Sequence, residues 1–237
     1  MRNLEEFNNK YKNEPCFIVG AGPSIALYED LEPLKKHLTI AVNSGYVAVP
    51  FANYFISDDQ GISHYSYFKG LKSAETIVLL YEDKLKKCAN WFGKRSVLFR
   101  HRKGIHIPDI YSHTNPKNHL GETRSSLGSA IMVANTMGCS PIYLLGVDCC
   151  RYNGFRYFWQ ISSKYSAPYR DDNVPLDFYQ KCRTYGEVTD FDLLDILKSW
   201  YNFGRAVNKK CLIYNCSLGS KLTIFPKVKL EDVISRS

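Results

Sequence analysis

Four apolar residues, Cys16-Phe17-Ile18-Val19, run directly into Gly20-Ala21-Gly22-Pro23-Ser24. An unbroken apolar run of this kind predicts a strand buried on both faces, the setting of a parallel sheet. The turn that follows is built of small residues, which let backbone come close to a ligand. Ser24 is the expected N-cap of a helix over residues 25–37, its hydroxyl meeting the first N–H groups. A glycine turn feeding a helix N-terminus aims N–H groups and the positive dipole end at an anion. Gly20, Gly22, Pro23 and Ser24 are therefore candidate nucleotide-binding residues, although an ordinary tight turn between strand and helix has the same look. Ile25 stands where a dinucleotide fingerprint needs its third glycine, and no Gly-Lys-Ser/Thr follows. The pattern points to a nucleotide phosphate outside the usual NAD and P-loop enzymes.

The same rhythm repeats along the chain. Leu38 to Val42 predicts a second strand ending at Asn43, and Tyr54 to Ser57 a third ending at Asp58-Asp59. Further strands are expected over residues 76–80, 96–99, 141–145 and 211–214, with helices over 82–91 and 125–137. Strands alternating with helices predict one Rossmann-like α/β domain, a mainly parallel sheet with helices on both faces. Ligands in such sheets sit beyond the carboxyl ends of the strands. Ser24, Asn43, Asp58, Asp59 and Asp148 all fall there, and together they predict a pocket, while each alone suits a helix cap. The start of the helix over 125–137, with Ser126, Gly128 and Ser129, offers either a second anion-binding helix end or plain close packing.

Two intervals interrupt the rhythm. Residues 100–124 are dense in His, Arg and Lys and include His101, His106, His113 and His119, at no spacing that predicts a metal site. Residues 149–190 are aromatic and charged and form an expected lid over the domain. The eight cysteines contain no C-x-x-C pair, and the N-terminus is polar and acidic. Together these suggest reduced thiols in a cytoplasmic protein, with no zinc. Lys and Arg exceed Asp and Glu by eight, which favours an anionic partner.

Gly20-Ala21-Gly22-Pro23-Ser24 resembles the Gly-x-Gly-Pro-Ser turn of two related groups. One is glycosyltransferase family 42, the bacterial sialyltransferases. The other is the family of 6-hydroxymethylpterin pyrophosphokinase-like proteins, which includes flagellin glycosyltransferases. Ser125 to Ser129, followed by Met137-Gly138 and the run to Gly146-Val147-Asp148, is similar to their small-residue helix, strand and Gly-hydrophobic-Asp. Asn153-Gly154-Phe155-Arg156-Tyr157 resembles an Asn-Gly-x-x-Tyr stretch of the sialyltransferases, and Thr189-Asp190 gives a weaker echo.

The resemblance implies a GT-A-variant-like sheet and one of two activities. The first is transfer from a CMP- or UDP-linked sugar with no obligatory cofactor. The second is pyrophosphoryl transfer from ATP, with Mg²⁺ held by Asp58 and Asp59. It also implies a nucleotide held by the Gly20–Ser24 turn, Asn43 and Asp148, with Ser126, Gly128 and Ser129 assisting. Tyr157 would donate to the leaving phosphate. The sialyltransferase general-base histidine is matched here by Tyr185, so a carboxylate is sought instead, among Asp58, Asp59 and Glu187.

The acceptor is open between a glycan, a protein and a hydroxylated DNA base. Arg100, Arg102 and Lys103, with the rings of Tyr111, Tyr152, Phe155, Tyr157 and Trp159, have the basic and stacking character that holds single-stranded or extruded bases. A nucleic-acid-binding module without catalysis shares those features.

Overall fold

The computed structural model describes residues 2–102, 119–121, 125–166, 168 and 212–235. Their centre is an eight-stranded sheet: β1 (Cys16–Val19), β2 (Leu38–Val42), β3 (Tyr54–Ser57), β4 (Ile77–Tyr81), β5 (Ser96–Arg102), β6 (His119–Gly121), β7 (Ile142–Leu145) and β8 (Ile213–Asn215). Every pairing is parallel, and the order across the sheet is β6-β5-β4-β3-β2-β1-β7-β8. The chain thus adds strands outward from β1 to β6, then returns to lay β7 on the free edge of β1. That reversal is the switch point at which α/β sheets open a crevice.

Burial explains the apolar runs. All of β1 and β2 is buried, with alternate residues on opposite faces. Cys16 and Ile18 join the layer of Ala130, Ile131 and Val133 from α3 (Ser126–Thr136), together with Leu4 and Phe7. Phe17 and Val19 join Phe68 from α1 (Ser66–Gly70), Leu85 from α2 (Glu82–Ala89) and Leu230 from α4 (Leu230–Ile234). Helical segments therefore cover both faces, as the alternation predicts.

Three expectations need correction. No continuous helix spans 25–37. The chain forms two five-residue 3-10 turns, Pro23–Leu27 and Glu32–Lys36, because Tyr28 is extended and Pro33 has no N–H to carry a helix through. Ser24 is not the N-cap either; Gly22 is, without a side-chain cap bond. In addition β5 continues three residues past its expected end, and the short β6 beside it lies inside the interval read as a basic loop. The helix expected over 125–137 is found as α3, with Ser125 accepting from Gly128 N–H and Gly138 at φ +79°.

The β1–β7 seam is unusually close. Gly20 N–H donates to Leu145 O at 2.7 Å and Gly22 N–H to Gly146 O at 2.8 Å. A Cβ on Gly22 would stand 2.6 Å from Gly146 O and run into the Asp148 carboxylate. The small residues of the turn thus admit β7 to β1, and the space expected to receive a ligand is filled by Gly146 and Asp148. Gly22→Ala should therefore destabilise the fold by about 1–3 kcal/mol. A urea midpoint unchanged from wild type would show that the seam can open without loss.

Candidate active site

The turn after β1 is closed by a carboxylate of the chain itself. Asp148, 4% exposed, receives Ser24 N–H at 3.0 Å and Ser24 Oγ–H at 2.9 Å, both at Oδ2. Residues beyond β8 hold Asp148 in turn. Ser220 Oγ donates to Val147 O and Asp148 O, at 2.7 and 3.1 Å, and Lys221 N–H donates to Asp148 O at 2.8 Å. Ser217 Oγ accepts Val147 N–H at 2.9 Å, and its own N–H is taken by Asn215 Oδ1. Burial pushes the Asp148 carboxyl above its ordinary range, against the opposing pull of the two Ser24 bonds and Lys227.

A second cluster forms two strands away. Asn43 follows β2 at φ +51°, and its buried Oδ1 has no hydrogen-bond partner among the described residues. Asp58 follows β3 and lies against the N-terminus of α3. Its N–H donates to Ser126 Oγ at 2.9 Å, and its Oδ2 accepts Ser129 Oγ–H at 2.9 Å. A carboxylate is favoured at that helix end by the macrodipole. His101 Nε2 meets the same Oδ2 at 3.0 Å. Asp59 turns to another task, capping the 3-10 turn Gln60–His64 through Gly61 N–H. Under the kinase reading Asp58 and Asp59 would be the residues to hold a Mg²⁺, whose chemistry there would be to neutralise substrate phosphates. Among the described residues no three His, Cys, Asp or Glu side chains gather to hold a metal ion.

The first part of the expected lid lies on the Gly turn. Asn153 and Gly154 both have positive φ, and Tyr152 and Phe155 exchange backbone bonds across them, forming a tight hairpin. The 3-10 turn Phe158–Gln160 follows; Phe158 is fully buried, and its N–H donates to Ala21 O at 3.4 Å. That anchor sets the half-buried Tyr157 beside the turn. The Tyr157 ring stacks on Trp159, with centroids 5.0 Å apart and planes at 9°.

The structure thus brings Gly20, Gly22, Pro23, Ser24 and Asp148 together with the Tyr157 segment, and Asp58 with Ser126, Gly128 and Ser129. Arg100 points away, as strand alternation requires of the residue before His101. Its guanidinium makes two bonds to Glu82, at 2.8 and 2.9 Å, on the far face. Arg102 is the last residue of β5, and Lys103, Tyr111, Tyr185 and Glu187 lie outside the described residues. His101 was missed as a site residue; the signal was the alternation Val97, Phe99, His101, visible only once the strand is known to reach Arg102. The Asn215-Ser217-Ser220 clamp carries no sequence signature.

Residues 1–154 match the family of 6-hydroxymethylpterin diphosphokinase MptE-like proteins, and the chain belongs to that family. No curated protein matches it. Among solved structures, the fold is similar to the MAf glycosyltransferase of Magnetospirillum magneticum AMB-1 (TM-score 0.53, 14% identity, 95% of this chain covered). The match takes in 37% of that protein's length. The sialyltransferase CstII of Campylobacter jejuni, solved with a CMP-3FNeuAc substrate analogue, is more distant, at TM-score 0.42 and 15% identity over 91% of this chain and 86% of its own.

The raised Asp148 carboxyl has a stability consequence. A carboxyl whose folded pKa lies above its unfolded value stabilises the fold below the unfolded pKa, and that contribution is lost as pH rises through the folded pKa. Asp148→Asn removes this dependence while keeping an oxygen for Ser24. Urea midpoints between pH 4 and 7 should show wild type losing ground to the variant as pH rises. Parallel profiles would contradict a desolvated Asp148.

Proposed function

We propose that this chain is a transferase that moves a sugar from a nucleotide donor to a hydroxyl acceptor. The observation that supports the reading is the Phe158–Ala21 contact, which joins the segment carrying Tyr157 to the glycine turn. The donor nucleotide lies at the carboxyl ends of β1 and β2, by the turn and Asn43. Tyr157 donates a hydrogen bond to the departing phosphate. Asp58 takes the acceptor's proton as the acceptor oxygen bonds the anomeric carbon and the bond from that carbon to phosphate breaks. The N–H groups of Gly20, Gly22 and Ser24 already donate within the protein, so phosphate binding falls to side chains rather than to a backbone nest. Similarity of fold to a glycosyltransferase supports the reading, as do the short motifs shared with the sialyltransferases.

CMP or UDP is the proposed leaving nucleotide. For the acceptor, a DNA base is the less favoured choice, because Arg100 is already paired with Glu82; a glycan or protein hydroxyl is preferred. A second reading, pyrophosphoryl transfer from ATP with Mg²⁺, is favoured by the family's own description. Thermal shift with CMP, UDP and ATP, each with and without Mg²⁺, separates the two. Metal-independent stabilisation by CMP or UDP is expected, whereas stabilisation by ATP only with Mg²⁺ would overturn the sugar-transfer reading. Tyr157→Phe should lower kcat about 10²-fold with little change in KM, as loss of one preorganised donor does. A variant with wild-type kcat would reduce Tyr157 to a packed ring.

A further inference from the structure

Asp58 is held by more partners than a strand-end carboxylate needs. His101 Nε2 and Ser129 Oγ both meet Oδ2, at 3.0 and 2.9 Å, and Ser126 Oγ accepts the backbone N–H. The Asp58 and His101 side chains are only 14% and 9% exposed. An ionised carboxylate only accepts hydrogen bonds, so His101 offers Nε2–H and Ser129 its hydroxyl proton. His101 is itself fixed: its ring lies 4.7 Å from that of Tyr81 at the end of β4, and edge-on to Phe99 at 5.6 Å. It reaches from β5 past β4 to the end of β3. Oδ1 of Asp58, by contrast, is buried and has no hydrogen-bond partner among the described residues.

We propose that His101 is a positioning residue for Asp58. Together with Ser129 it saturates Oδ2 and turns Oδ1 into the single oxygen presented to the acceptor. The inference rests on the transferase reading above. In the step, the acceptor O–H proton passes to Oδ1 while its oxygen bonds the anomeric carbon. The carbon–phosphate-oxygen bond breaks, and its electron pair leaves on the nucleotide. His101 keeps its proton throughout. The two donors on Oδ2 fix where the other oxygen of Asp58 stands, and a misplacement of about 1 Å costs on the order of 10²-fold in rate.

The test compares His101→Ala and His101→Gln, the second of which keeps an N–H donor at similar reach. Donor breakdown with water as acceptor is followed as nucleotide released from CMP-N-acetylneuraminate and UDP-N-acetylglucosamine. His101→Ala should lower kcat about 10²-fold with KM within about twofold, and His101→Gln should recover most of the loss. Equal loss in both variants, or none in His101→Ala, would overturn the proposal. Crystal structures of the same proteins give an outcome that needs no turnover. Asp58 should keep one conformer in wild type and His101→Gln and leave it in His101→Ala; an Asp58 unmoved in His101→Ala rejects positioning even if no donor is cleaved. If wild type neither cleaves these donors nor is stabilised by CMP or UDP, the transferase reading fails, and the crystal structures still decide whether His101 holds Asp58.

Discussion

The bond pair from Ser24 to the Asp148 carboxylate is the interaction on which the candidate site depends. It ties the turn after β1 to the end of β7, across the one place where the sheet reverses its order. Hydrogen bonds to a charged acceptor contribute about 1.5–3 kcal/mol each, and burial of the carboxylate outweighs them in setting its protonation. The backbone around Asp148 is held as well. Ser217 and Ser220 fix the backbone on either side of it, and Asn215 fixes Ser217. A chain of short polar residues from the last strand therefore reaches the first turn through one carboxylate.

Asp58 repeats the arrangement at the other cluster. In both places the sequence offers what looks like an anion site for a ligand, and in both the fold supplies the anion from within. Asp148 occupies the glycine turn, and Asp58 occupies the N-terminus of α3. The consequence for chemistry is a division of labour. Ser24 organises Asp148 through its N–H and hydroxyl, Ser129 and His101 organise Asp58 through their side chains, and under the proposed reaction Tyr157, Asn43 and Asp58 Oδ1 meet substrate.

Much of this was legible in the sequence, and the failures have physical causes. Strands β1 to β3 were placed to the residue, because buried parallel strands are unbroken apolar runs bounded by turn residues. The helix expected after Ser24 was not there, since a single interior proline and an extended Tyr28 outweigh the apolar periodicity around them. Ser24, Ser126, Ser129, Asp58 and Asp148 were singled out as a ligand-facing set; the sequence held their identities but not that they would partner each other, over separations as long as 124 residues. His101 was lost among three other histidines because strand alternation carries information only inside a known strand.

That separation also sets an order of events. β1 and β2 pair over short stretches of chain, and the strands out to β5 follow in sequence order. β1 cannot receive β7 until more than half of the polypeptide has been made, and Asp148 cannot be clamped until the residues after β8 arrive. Long-range closures of this kind are entropically slow. During synthesis the glycine turn therefore stands with its N–H groups unsatisfied and the edge of β1 unpaired, a template for any extended segment nearby. The missing side chain at Gly22, which lets Gly146 and Asp148 close on the turn in the finished protein, also leaves that edge without a steric guard until they arrive.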